Sequence, residues 1–492
     1  MSWADLIVIA PVAAAIGVAA LVIIADLLRP GATRPALAVA FLGLAGVTAL
    51  TWWTGTTPGT AFGGSYKVDD LATFIDLLFV FIVAVSLLVA PDYLGPRGLP
   101  VPEFAAILAF ALSGAMLVAG AADLLVLFLG LELMVIPGYL LAGYHRRDAL
   151  STEGAVKYFL LGSFSSAIFL FGLAFIWGLT GTTRIAGVAD ALAEVVAGRT
   201  ALSAGLAIGL ALLTTGVAFK IAAVPFHYWT PDAYQGSPTP VTGYLSVGPK
   251  VGAFALILRL FAEALGPLAS EWLIVFYVLA ALTMTLGNLV ALTQDNVKRM
   301  LAYSSIAHTG YMLVGLAAYA AGQQEGLEGL LFYGAAYAVM NLGAFAVITA
   351  LQRRPGVTSR LETFSGLGRR EPLLGILMVL FLLSLTGIPP TAGFFAKAYV
   401  ILAAVQEGGW LSLLAVIAVL NAAAAAFYYL RVVVYMYMRE PAGEPAPVGH
   451  GALLRLGLAV TATGTVLLGL FPEPFLGTVG AAAQALATAI VR

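Results

Sequence analysis

Gly387-Ile388-Pro389-Pro390-Thr391-Ala392-Gly393-Phe394-Phe395-Ala396-Lys397 sits inside an apolar run of about thirty residues, 372–402. A bilayer is crossed by about 20 apolar residues. The run therefore reads as a membrane span, yet the Pro389-Pro390 pair between Gly387 and Gly393 is incompatible with one regular helix. A second run, 202–235, is built the same way, with Gly216-Val217-Ala218-Phe219-Lys220 followed by Pro225-Phe226-His227. Each places a lysine four residues after a glycine and beside a helix break. A lone charge at the bilayer centre costs about 2.5–3.5 kcal/mol. Broken helices at membrane depth need protein or water around their freed backbone groups, and they often line ion pathways. Two such stretches, each with a lysine, predict functional interruptions inside a helical bundle.

Composition agrees. Of 492 residues, 61% are apolar and only 10% charged, against roughly 25% charged in an average soluble protein. At about 20 residues per span, the apolar content suffices for about fourteen spans, which excludes a soluble enzyme, a disordered regulator and a nucleic-acid binder. The 24 basic and 25 acidic residues leave no net field to recruit a polyanion. The apolar runs are too long and too continuous for an outer-membrane barrel. Cysteine is absent, so disulfides, thiolate metal sites and iron–sulfur ligation are excluded within the chain. Met1 to Asp5 carries no basic n-region, and the first apolar stretch is expected to be a retained span.

Apolar runs and their polar interruptions place spans near 3–27, 35–55, 70–90, 103–121, 123–143, 154–180, 202–235, 241–262, 272–293, 299–320, 329–351, 372–402, 410–438 and 452–471. A weakly apolar piece, 474–491, is expected to be an interfacial or packed tail. The broken spans are numbers 7 and 12, five apart, and an odd separation reverses direction in the membrane. Spans 4–8 and 9–13 are therefore expected to form two inverted five-helix repeats, a common transporter construction. The implied organisation is 1–102 (three helices), 103–265 (first repeat), 266–440 (second repeat) and 441–492 (last helix and tail). Loops after odd-numbered spans hold fourteen Lys and Arg, whereas those after even-numbered spans hold only Lys67, Arg184 and Arg199. By the positive-inside rule the odd loops are cytoplasmic and both termini lie on the other side.

Arg259 and Arg431 fall towards span ends, and Lys157 near the start of span 6, where long side chains can snorkel. Glu132, Lys220, Lys250 and Lys397 cannot be placed at a boundary so easily. Glu132 has no basic neighbour in sequence, and Lys220 is its leading candidate partner from another helix. A lysine beside a carboxylate keeps its proton and releases it more readily without one, so making and breaking this pair is a route to moving a proton. A static structural ion pair is the bland alternative. Lys250, after Pro249, lies near the middle of span 8. His227, Tyr234, Tyr303, His308, Asn341, Ser304, Ser305, Tyr337 and Asn421 are candidate relay groups, although each alone is more often an interhelical hydrogen-bond residue. No haem-spaced histidines or GxxxxGK[ST] loop occurs, and His227 and His308 are too isolated for a metal site. No cofactor or metal is expected in this chain.

The run Pro225-Phe226-His227-Tyr228-Trp229-Thr230-Pro231-Asp232-Ala233-Tyr234-Gln235-Gly236-Ser237-Pro238-Thr239-Pro240-Val241 resembles the antiporter-like membrane subunits of the proton-pumping NADH:quinone oxidoreductase, respiratory complex I. Leu245-Ser246-Val247-Gly248-Pro249-Lys250, Asn296 through His308, and Gly387 through Lys397 are similar to its N (subunit 2) type. The likeness spans about residues 103–438, and the first three spans match the bacterial form. It implies fourteen helices with two inverted repeats, and proton translocation driven by quinone reduction elsewhere. Glu132 and Lys220 would be the gating pair, Lys250 the central relay and Lys397 the terminal site. His227 would connect the halves, with Lys157 a secondary group near Glu132 and Pro225, Pro389, Pro390, Gly387 and Gly393 the breaks. FMN, iron–sulfur clusters and quinone would lie in partner subunits. M-type and K-type neighbours would flank the chain in a bacterial inner membrane. The competing functions are a subunit of a cation/proton antiporter and a purely structural membrane anchor.

Overall fold

A computed structural model describes residues 2–197, 203–440 and 449–490. Arg199, Arg492, position 202 at the start of span 7 and the proposed boundary at 441 lie outside the described residues. The chain is almost entirely helical and is a multi-pass membrane protein. Among the described residues, eleven helices are long and apolar enough to cross a bilayer. The other three expected spans are also helical. Two of them are each divided into shorter helices, and the third, Val297–Ala320, has its apolar surface diluted by Lys298, Arg299 and His308.

In chain order the first elements are α1 (Ala10–Leu28), α2 (Thr33–Gly55), an antiparallel hairpin of β1 (Gly59–Ala61) and β2 (Tyr66–Val68), α3 (Asp70–Val89), α4 (Val101–Ala119), α5 (Leu124–Ala142) and α6 (Ala149–Thr180). A surface helix, α7 (Ile185–Ala197), leads to the first broken span, α8 (Ala204–Lys220) and α9 (Trp229–Gly236). Then come α10 (Thr239–Ile257), α11 (Ala269–Ala291), α12 (Val297–Ala320) and α13 (Gln324–Leu351). The second broken span is α14 (Pro372–Thr386) and α15 (Ala392–Glu407), followed by α16 (Gly409–Met438), α17 (Ala452–Leu470) and α18 (Glu473–Ile490). Short polar caps start several of them. Asp69, Asp123, Asp148, Ser203 and Asn296 each accept a backbone N–H of the first turn, filling part of the donor deficit there.

Both interruptions fall where the prolines and glycines put them. Gly387 ends α14 at φ +92°, a left-handed conformation that a side chain would strain. A Cβ at Gly393 would run into the carbonyl oxygen of Ser384, so a glycine there lets the second half-helix lie against the first. The tail is packed rather than interfacial, because α18 buries Val479, Ala482, Ala483 and Leu486 and sits against α3 and α13.

The centre of the bundle is α10, every residue of which is buried, with α12 and α13 beside it. Beyond Ile257, α10 widens into a π-helical turn, Leu258–Ala264. Arg259 on this turn does not snorkel. It is wholly buried, with Asp69 at 2.6 Å and Glu263 at 2.7 Å, and its Nε donates to the Ala119 carbonyl at 2.7 Å. Lys67 of the hairpin completes the cluster, 2.7 Å from Glu263 and 3.3 Å from Asp69. Arg431 behaves as expected of a span-end residue, half-buried near Asp295 and the Gln294 carbonyl.

Candidate functional site

Helices α5, α6 and α8 bring together the first pair. Lys220 Nζ lies 3.8 Å from Glu132 Oε1, with Ser166 of α6 between them. The ammonium donates to Ser166 Oγ at 2.8 Å, and that hydroxyl donates to Glu132 Oε1 at 2.5 Å. Tyr139 Oη stands 3.5 Å from the same ammonium. Lys220 is the last residue of α8, so its charge sits at the negative end of a half-helix. Glu132 is less enclosed, with 24% of its side chain exposed. It shares one face of α5 with Leu125, Leu129, Ile136 and Leu140, all outward-facing.

Lys250 is buried and has no carboxylate partner among the described residues. Its ammonium donates to Ser305 Oγ at 2.8 Å and to the Ser305 carbonyl, and it lies 5.2 Å from the Tyr337 ring centre. Lys397 is held alike. It donates to the carbonyls of Leu385 at 2.9 Å and Thr386 at 2.7 Å, and it faces the Tyr311 ring at 4.8 Å. Those carbonyls end α14, so this lysine too is held by the C-terminal end of a half-helix. Aromatic faces add attraction for both cations.

His308 stands between the two. Its Nδ1 is 2.7 Å from Tyr333 Oη and its Nε2 3.2 Å from Tyr429 Oη, which also bonds Ser304 Oγ. The imidazole packs on Tyr337, the ring facing Lys250, and on Tyr311, the ring facing Lys397. Towards Lys220, Thr309 Oγ1 donates to the Ile221 carbonyl at 2.8 Å and approaches the Ser305 carbonyl at 3.3 Å. One hydroxyl thus spans the break after Lys220 and the residue that holds Lys250.

The remaining candidates lie at different distances from this row. Asn341 donates to Ser246 Oγ at 2.6 Å, and Tyr234 Oη donates to the Leu245 carbonyl at 3.1 Å. Asn341 Oδ1, Tyr244 Oη and His227 Nδ1 are buried without a protein partner, and such groups are ordinarily satisfied by water. His227 stacks on Tyr228 and meets Tyr303 edge-on, so neither is bonded into the row. Lys157 does not pair with Glu132. It pairs with Glu153 and Asp232, each at 2.6 Å, and Asp232 also binds Arg299 at 2.7 Å.

Sequence reasoning missed Ser166, Thr309, Tyr311, Tyr333, Tyr429 and Asp232. Hydroxyls and tyrosines are common in apolar helices and carry no signal of their own. It also missed the Lys67–Asp69–Arg259–Glu263 cluster, although Arg259 and Glu263 at i, i+4 were a usable cue. Burial alone would raise the pKa of Asp69, but Arg259 and Lys67 hold its carboxyl well below the usual range. No group of residues suited to a metal occurs among the described residues.

Residues 121–421 match the family described as NADH:quinone oxidoreductase/Mrp antiporter, TM. NADH-quinone oxidoreductase subunit N of Trichlorobacter lovleyi is 45% identical over 433 residues, 88% of this chain and 87% of that one. NADH-quinone oxidoreductase subunit N 1 of Koribacter versatilis is 43% identical over 490 residues, 97% of this chain and 95% of that one. Among solved structures, a chain of respiratory complex I from Thermus thermophilus superposes with a TM-score of 0.79 at 32% identity, covering 96% of this chain and 99% of its own.

Proposed function

The chain belongs to the NADH:quinone oxidoreductase/Mrp antiporter membrane family, among the N-type subunits, and from that premise we propose that it carries protons across the membrane as a subunit of a respiratory NADH:quinone oxidoreductase. The observation that carries this reading is the row of buried charges, Glu132–Ser166–Lys220, then Lys250, then Lys397, bridged by Ser305, His308 and tyrosines. In this reading the chain has no redox centre, and FMN, iron–sulfur clusters and quinone belong to partner subunits.

The geometry supplies the steps. While Glu132 is ionised and bridged through Ser166, Lys220 keeps its proton. Once Glu132 is protonated or drawn to its exposed face, Lys220 is left in an apolar site and gives its proton up towards Lys250. Lys250 and Lys397 are held only by neutral oxygens and ring faces. Their charged forms are therefore poised against desolvation rather than locked by an anion. His308, bonded on both nitrogens, links the two through tyrosines and water. Lys220, the last residue of α8, and Lys397, held by the last carbonyls of α14, each lie beside the C-terminus of a half-helix, which supports the two inverted repeats and their proposed boundaries. The apolar flank around Glu132 suits a neighbouring membrane subunit of the M or K type. Positive-charge bias puts the termini on the non-cytoplasmic side of a bacterial inner membrane.

The test uses inverted membrane vesicles carrying wild type or Lys220→Ala, with NADH oxidation and proton uptake followed together and assembly checked on a native gel. An assembled variant that loses pumping supports the proposal, whereas one that oxidises and pumps like wild type sinks the role of the Glu132–Lys220 pair. Because the family description includes Mrp antiporters, exchange of sodium for protons is the competing activity. Pumping that persists in sodium-free buffer excludes it.

A further inference from the structure

Away from the charged row, a groove of about 560 Å3 runs between α2, α3, α13, α17 and α18. Its floor is apolar: Phe74, Leu78 and Phe81 of α3 face Ala335 and Val339 of α13. Its mouth holds Trp52, Thr56 and Thr73, with Asp70 at the first turn of α3. From Asp70 to Phe81 the groove follows α3 for ~16 Å at 1.5 Å per residue. That is about half of a ~30 Å hydrocarbon core, the depth of one leaflet. Tryptophan at the mouth is the residue type that marks the membrane–water interface.

The charge at the mouth decides between headgroups. Asp70 is exposed and, among the described residues, its carboxylate has no hydrogen bond or ion pair, unlike Asp69 beside it, which Arg259 and Lys67 occupy. Among the described residues no Lys or Arg lines the groove. An anionic headgroup would face an uncompensated carboxylate, whereas a primary ammonium would pair with it. We propose that this groove is a binding site for one acyl chain of a zwitterionic, ammonium-bearing phospholipid such as phosphatidylethanolamine, its ammonium on Asp70 and its chain laid along Phe74, Leu78 and Phe81.

The site has a structural use. Ala335 and Val339 form its floor, while Tyr333, Tyr337 and Asn341 of the same helix are buried in the charged row. A chain seated in the groove supports α13 from behind the groups that face Lys250 and His308.

The experiment places the purified complex in vesicles containing phosphatidylethanolamine with a photoreactive group at the end of one acyl chain, and maps the labelled peptides. Labelling is expected near Phe81 and Val339. It should fall several-fold in Ala481→Trp, or in Thr478→Trp should the first variant fail to assemble, because both put an indole into the groove. The same label on phosphatidylglycerol should react less, by up to roughly fivefold, the worth of one exposed ion pair. Asp70→Asn should bring the two lipids level. Equal labelling by both lipids in wild type, undiminished labelling in an assembled tryptophan variant, or displacement of the label by added quinone would each overturn the proposal.

Discussion

At the scale of single residues the informative atom is Ser166 Oγ. Glu132 and Lys220 are 3.8 Å apart, too far for a direct strong hydrogen bond, and the serine closes the gap. Ser166→Ala should therefore loosen the pair without removing either charge. A net hydrogen bond to a charged group is worth about 1.5–3 kcal/mol, so proton pumping in inverted vesicles should fall about tenfold or more. Ser166→Thr, which keeps the hydroxyl, should restore much of it. Equal pumping by the alanine and threonine variants would reduce Ser166 to a packing residue. The pair itself was legible in the sequence, because charges are so scarce that a buried glutamate and a buried lysine nearly identify each other. Ser166 was not, since one hydroxyl among many on an apolar helix costs little and marks nothing. The main partner of Lys157 from another helix was not legible for a related reason. That partner, Asp232, arrives from 75 residues away in α9, and proximity along α6 gave no hint of it.

At the scale of elements, proline and glycine announced both breaks, and at each a lysine lies beside the C-terminus of a half-helix, Lys220 as the last residue of α8 and Lys397 bonded to the last carbonyls of α14. Gly393 is the tightest joint in this arrangement. Gly393→Ala should force α15 away from Ser384 and shift Lys397 off the Leu385 and Thr386 carbonyls, at a cost of about 1–3 kcal/mol. Assembled complex should be recovered in lower yield on a native gel, with residual pumping lower than Gly334→Ala, where a Cβ meets open space. Arg259 is the instructive failure. Its position along α10 suggested a snorkelling end, but the β1–β2 hairpin folds Lys67 and Asp69 back over the turn, and no local pattern encodes that return. Arg259→Met should leave Asp69 and Glu263 buried without their main cation, a loss of about 3–5 kcal/mol. Heat-step retention of the subunit in the complex should drop sharply. Lys67→Met removes the outer partner of the cluster, 21% exposed, leaves Arg259 in place and should therefore cost less than Arg259→Met.

At the scale of the whole molecule, the absence of cysteine turns topology into a direct measurement. A maleimide that cannot cross membranes should label Ser2→Cys from the non-cytoplasmic side and Gly356→Cys from the cytoplasmic side. The opposite pattern would invert the proposed direction of transport through every residue in the row. Three well-buried helices, α10, α12 and α13, carry the middle of that row entirely inside one chain, whereas Glu132 stands on the flank of α5 among outward-facing aliphatic side chains. The first charge is thus completed by whatever lies alongside. A copy that reaches the membrane before its neighbours has this end of the row flanked by the bare side chains of Leu125, Leu129, Ile136 and Leu140, with no polar surface there to exchange a proton with. Such an orphan should be electrically silent during biogenesis. Membranes in which the subunit is overproduced alone should show no more passive acidification than membranes without it.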